Sequence, residues 1–143
     1  MAKSRFRYLE DVATADAAFE AYGASLGELF ANAAAAMFNV MAPLESIQPL
    51  QSRELTVMAD GIEELLFSWL AELVYLKDIH SELYSDFEVA VDPASFTVSA
   101  TVRGDSLDNL RSQTHTDVKA VTYHRLAITQ TAEGFTATAV LDL

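Results

Sequence analysis

The stretch DGIEELLFSWLAELVYL, residues 60 to 76, limits the architecture of this chain more than any other. Ile62, Leu65, Leu66, Trp69, Leu70, Leu73 and Leu76 recur at helical spacing, and Phe67, Val74 and Tyr75 broaden the stripe. Glu63, Glu64 and Glu72 interrupt the run, so it does not read as a membrane span. A helix this apolar must be covered, and the covering surface has to come from the rest of the chain. Asp60 to Glu63 resembles a capping box with an acidic cap, and the pattern fades near His80. The breadth of the stripe predicts that this helix is the more deeply packed of two.

The other helix opens at Ser25, where Glu28 three residues on completes a capping box. Leu26, Leu29, Phe30, Ala33, Met37, Val40 and Met41 form its stripe, the alanine run favours helix, and Pro43 ends it. Nearly everything else alternates with period two. The predicted strands are 6–11, 15–23, 52–59, 83–91, 95–104, 118–131 and 134–143. Asp92-Pro93 turns one pair, Ala132-Glu133-Gly134 closes the last hairpin, and 105–117 is a polar connection. Thr122 and Leu126 share a face yet differ in polarity, which points to a bulge near Tyr123 to Arg125. The order is ββαβαββββ. It predicts a single α+β domain over residues 1–143, a mainly antiparallel sheet with both helices packed on it.

With 51% apolar residues, the chain can build one core without staples, and the absence of cysteine excludes disulfides, thiolate zinc and a cysteine nucleophile. Nine basic residues face 21 acidic ones, for a net charge of -12. A phosphate-gripping surface needs clustered Lys and Arg, and the nearest approach is KSRFR at residues 3–7. Strong direct nucleic-acid binding is therefore not expected; a basic protein partner or a cation suits the charge better. No apolar run follows the basic residues of MAKSRFRYLED, so no signal peptide is read, and the expectation is a soluble cytoplasmic protein.

Asp16 and Asp142 lie on the polar faces of their strands, at the start of one and the end of another. If those strands are neighbours, the two carboxylates converge, with the chain-terminal carboxylate of Leu143 beside them if this is the native end. Oxygen ligands of this kind suit Ca²⁺ or Mg²⁺ and do not select zinc. The alternative is two solvated edge carboxylates. Lys119, between Val118 and Ala120, is either a half-buried partner of carboxylates or an edge lysine that deters aggregation. His124 is a candidate ligand or partner-facing group against a hydrogen-bonded structural histidine, and His80 suits a helix C-terminus. Glu63 and Glu64 serve the helix dipole. A glycine-rich phosphate loop, a G-x-S-x-G elbow and an H-E-x-x-H pair are all missing.

TADAAFEAYG, DGIEELLFSWLAELVYL, THTDVKAVTYHRL and the final AVLDL occur in the order seen in archease proteins. The chain resembles that family over nearly its whole length. The resemblance implies a non-enzymatic cytosolic accessory of an RtcB-type RNA ligase. Such a protein would promote guanylylation of the ligase and multiple turnover in tRNA splicing or RNA repair. It also implies a divalent metal, calcium in the first instance with Mg²⁺ or Mn²⁺ as alternatives. By motif, Asp16, Asp142 and Leu143 would be the ligands, with Lys119 and His124 facing activation and partner. Lys119 is expected close to the acidic pair. The family usually reads His-Thr-Ala-Asp where this chain has ATAD, with Ala13 replacing the histidine, so any role of that histidine is in question here. Two other classes compete: a metal-dependent hydrolase or nucleotide-processing enzyme using Asp16 and Asp142, and an acidic protein-binding module without metal.

Overall fold

The computed structural model describes residues 5–10 and 16–143. Two strands, β1 (Phe6–Leu9) and β2 (Asp16–Gly23), lead into α1 (Leu26–Met41). The Ser25 Oγ accepts from the Glu28 N–H at 3.2 Å, as the capping box predicts. The helix stops two residues before Pro43, and one 3-10 turn (Leu44–Ser46) leads on to β3 (Gln51–Met58). Helix α2 (Ile62–His80) begins at Gly61 without a side-chain cap, which corrects the reading of Asp60 as one. Glycine is among the residues tolerated at an N-cap. The remainder is β4 (Glu82–Asp92), β5 (Thr97–Ser106), a 3-10 turn (Leu107–Leu110), β6 (Ala120–Val121), β7 (Ala127–Thr131) and β8 (Gly134–Asp142).

This is the predicted α+β arrangement, with every strand pair antiparallel. The strands form two sheets rather than one. The larger runs β1-β2-β8-β6 with β7 also on β8, and the smaller is β3-β5-β4. Helix α1 packs against both β2 and β4, so it bridges the sheets. That location explains why Ala33 to Phe38 are fully buried: the four alanines, Ala33 to Ala36, let the backbone approach closely, and Met37 and Phe38 fill the core beside them. The expectation that α2 is the more deeply packed helix is therefore overturned. Tyr75 on α2 is 56% exposed, whereas the middle of α1 sees no solvent. The Trp69 indole N–H donates to the Phe30 carbonyl at 2.9 Å and ties α2 to α1.

At the start of β4, Arg53 donates two hydrogen bonds to the buried Glu82 carboxylate, which also accepts from the Tyr84 hydroxyl. The Arg53 bond, with Tyr84 adding to it against burial, holds the Glu82 carboxyl below its ordinary value. Burial, and then Glu82, push the Tyr84 phenol well up. Gly104 faces this point on β5; a Cβ there would sit 1.8 Å from the Leu83 carbonyl oxygen. No described helix is long and apolar enough to cross a membrane.

A candidate metal centre at the closing strand pair

The larger sheet brings the first and last parts of the chain together. Strand β2 pairs with β8 in a register that sets Asp16 directly opposite Asp142. Directly opposed residues project from the same face, with Cβ atoms about 5 Å apart. The two carboxylates are therefore neighbours, as required if they are to share an ion. Asp16 is half-buried and Asp142 exposed. An open depression of about 300 Å³ beside Asp16 is lined by Tyr8, Asn39 and Val40. Leu143 follows Asp142, and its side chain packs against the core, which anchors the end of β8.

On the far side of β8, Ala120 is the ladder partner of Asp142. The Lys119 N–H also donates to the Asp142 carbonyl at 2.9 Å. That bond fixes the residue just before β6 against the end of β8. The row Asp16, Asp142, Ala120 crosses three strands, with Lys119 at its end. The Lys119 side chain is exposed, the edge-lysine alternative, because β6 is an edge strand only two residues long. Among the described residues no ion pair joins it to either aspartate.

The strand predicted over 118–131 is broken. Between Val121↔Leu141 and Ala127↔Thr138, six residues pass on this edge while β8 advances three. The surplus forms a projecting turn with Arg125 at a φ of 58°. This enlarges the bulge anticipated near Tyr123 to Arg125. His124 lies in that turn, exposed, its N–H donating to the Thr122 hydroxyl. Tyr123 stacks on Phe67 of α2, with ring centroids 3.9 Å apart and planes 9° apart. Ala13 lies outside the described residues.

Two residues near this site escaped the sequence reading. Lys77 is 4% exposed, and its ammonium donates to Asp117 at 2.7 Å and to the Val118 carbonyl at 3.0 Å. It also pairs with Asp78 at 2.6 Å. It thus holds the segment that delivers Lys119. The signal was present: Lys77 continues the stripe of Leu66, Leu70 and Leu73. The other is Glu63, whose carboxylate accepts from the Ile128 N–H at 2.9 Å and ties α2 to β7, a task beyond the helix dipole.

As a donor set, Asp16 and Asp142 fit a hard cation in kind, since both present carboxylate oxygen and nothing softer. Among the described residues, no group of three or more His, Asp or Glu side chains gathers at ligand spacing. A bound ion would therefore rest on this pair, on the carboxylate of Leu143 where that is the chain end, and on water.

The comparison with known proteins agrees along the full length. The profile of the "Archease protein family (MTH1598/TM1083)" matches residues 6–143. A protein archease from Methanosarcina barkeri is 36% identical over 142 residues, covering 97% of this chain and 96% of the relative. One from Sulfurisphaera tokodaii is 33% identical over 139 residues, covering 97% and 99%. The solution structure of Methanobacterium thermoautotrophicum protein 1598 superposes with a TM-score of 0.81 at 32% identity, covering 97% of this chain and 99% of that one. The crystal structure of a Thermotoga maritima archease shares the fold, with a TM-score of 0.62 at 19% identity over 92% of this chain and 93% of its own. By the match of its sequence over residues 6–143 and by its relatives at more than 30% identity, the chain belongs to the archease family.

Proposed function

We propose that this protein is a non-enzymatic accessory of an RtcB-type RNA ligase, acting in the cytoplasm through a divalent-metal site at Asp16, Asp142 and Leu143. It would promote guanylylation of the ligase and its multiple turnover in tRNA splicing or RNA repair. The observation that carries the reading is the register Asp16↔Asp142, which puts two carboxylates side by side in a family member. Calcium is the favoured ion, with Mg²⁺ or Mn²⁺ as alternatives, because the donors are all oxygen. When bound, the ion would supply positive charge toward phosphate oxygens.

The chain's own residues do the rest. Asp16 and Asp142 hold the ion on a rigid strand pair. Lys119, exposed beside the end of β8, offers the partner a positive group. His124 presents from the projecting turn. Lys77 fixes the stem between Asp117 and Lys119.

The test is multiple-turnover RNA ligation by the cognate ligase with GTP and a divalent ion. Addition of this protein restores turnover, and the Asp16→Ala variant, folded by circular dichroism, does not. Equal activation by both proteins would remove the acidic site from the proposal; no activation by either would remove the ligase. Lys119→Ala lowers activation while leaving the melting temperature within about 2 °C, as expected of an exposed side chain. Nucleotide or phosphoester turnover by this protein alone would instead favour the hydrolase reading.

A further inference from the structure

Helix α2 buries one face and leaves an apolar ridge on the other. Phe67, Ala71, Tyr75 and Ile79 follow one another at i, i+4, i+8 and i+12. The ridge climbs about 18 Å along the helix, at 1.5 Å per residue. Tyr75 is 56% exposed and Ile79 52%. Tyr123, 64% exposed and stacked on Phe67, extends the ridge onto the turn that holds His124. Three of the large exposed apolar side chains are thus gathered on one face. Such a patch marks an interaction site on a soluble chain.

The shape and charge of this face narrow the occupant. A row at i±4 spacing is the element that seats in the groove of another helix. Glu64 and Glu72 run along one side of the ridge, and Asp78 stands on the other. A second copy would bring the same acids, on a chain of net charge -12, against themselves. A partner with Lys or Arg flanking an apolar stripe would meet complementary charge. An anionic membrane would be repelled.

We propose that the outer face of α2, from Tyr123 and Phe67 to Ile79, docks a basic-flanked amphipathic helix presented by the protein partner. This rests on the ligase reading, and assigns the affinity to a surface separate from the Asp16–Asp142 pair.

The experiment is isothermal titration calorimetry of the intact ligase against four forms of the full chain: wild type, Tyr75→Ser/Ile79→Ser, Glu64→Lys/Glu72→Lys and Asp16→Ala. Melting curves check that each form is folded; all the substituted α2 side chains lie on its outer half. The expected result is a Kd raised at least tenfold by each double variant and less than threefold by Asp16→Ala. Wild-type binding left within twofold by both double variants overturns the ridge and leaves the ligase reading standing. No binding by the wild type removes the ligase as partner and this proposal with it. Sedimentation gives the remaining outcomes. A wild-type dimer that Tyr75→Ser/Ile79→Ser turns into a monomer assigns the ridge to a second copy. Pelleting with phosphatidylcholine vesicles, lost in the same variant, assigns it to lipid. Either overturns the proposal.

Discussion

Asp16 and Asp142 stand opposite one another with like charge, and that arrangement costs stability, by up to about 1 kcal/mol for such a pair. Asp142→Asn should therefore raise the melting temperature of the metal-free protein by about 2 °C. Millimolar Ca²⁺ should stabilise the wild type and leave this variant unmoved. Thermal melts with calcium and with chelator decide it, and an equal calcium response in both proteins would place the ion elsewhere. The buried pair behaves in the opposite sense. Arg53→Met strands the Glu82 carboxylate and should cost about 3 kcal/mol, while adding Glu82→Gln recovers part of it. Glu82 is held below its ordinary value, so its contribution is complete above about pH 5 and fades as pH falls through the folded value. The Tyr84 phenol is raised, so its contribution is complete below about pH 10 and fades above it. Denaturation across pH should show the acid loss weakened in the Arg53→Met variant. The strand-end positions of Asp16 and Asp142 were legible, because a strand of this polarity pattern does not require a carboxylate there; that their strands pair was left as a condition. Glu82 was not legible, since its meaning depends on Arg53, which lies 29 residues away in sequence.

Single elements show where pattern reading succeeds and where it stops. The two helices, the hairpins and the capping of α1 follow from periodicity and local chemistry. The broken edge strand does not. Lys119 sits in a run that alternates well enough for one strand, yet the three surplus residues between β6 and β7 leave the ladder and turn outward. Only the partner strand reveals that, because register is a property of two strands. The same limit hid Lys77, whose acceptors lie on a segment that periodicity cannot bring to α2. Replacing it with Met should leave the Val118 carbonyl without its donor and cost about 1–3 kcal/mol. Hydrogen exchange should then accelerate across residues 118–121 and stay unchanged in β3 to β5. Uniform acceleration would mean that Lys77 supports the whole fold rather than the stem of Lys119. The ranking of the two helices failed for a related reason. Alanines look modest in a hydrophobic stripe, but between two sheets they permit the closest approach of all.

For the molecule as a whole, a net charge of -12 acts on everything at once. Self-repulsion lowers stability at low ionic strength, and salt screens it. The melting temperature should rise between about 10 and 300 mM NaCl, while association with a basic-flanked partner weakens over the same range. Calorimetry across salt tests both, and parallel trends would contradict charge-assisted docking. The α+β fold class was legible at this scale, because alternation with two inserted helices points to an antiparallel sheet with helices packed on it. The division into two sheets was not, since it turns on α1 being thin enough to lie between them.

The pairing of β2 with β8 has a consequence for the chain during its synthesis. Strand β2 leaves the ribosome well before β8, the neighbour that covers one of its edges and the last of the described strands. Until then that edge is open to any extended segment nearby. The aspartate pair cannot assemble in a nascent chain that still lacks residues 134 to 142. An ion held between Asp16 and Asp142 would join two strands that meet late in synthesis, and so would act as a clasp on their pairing.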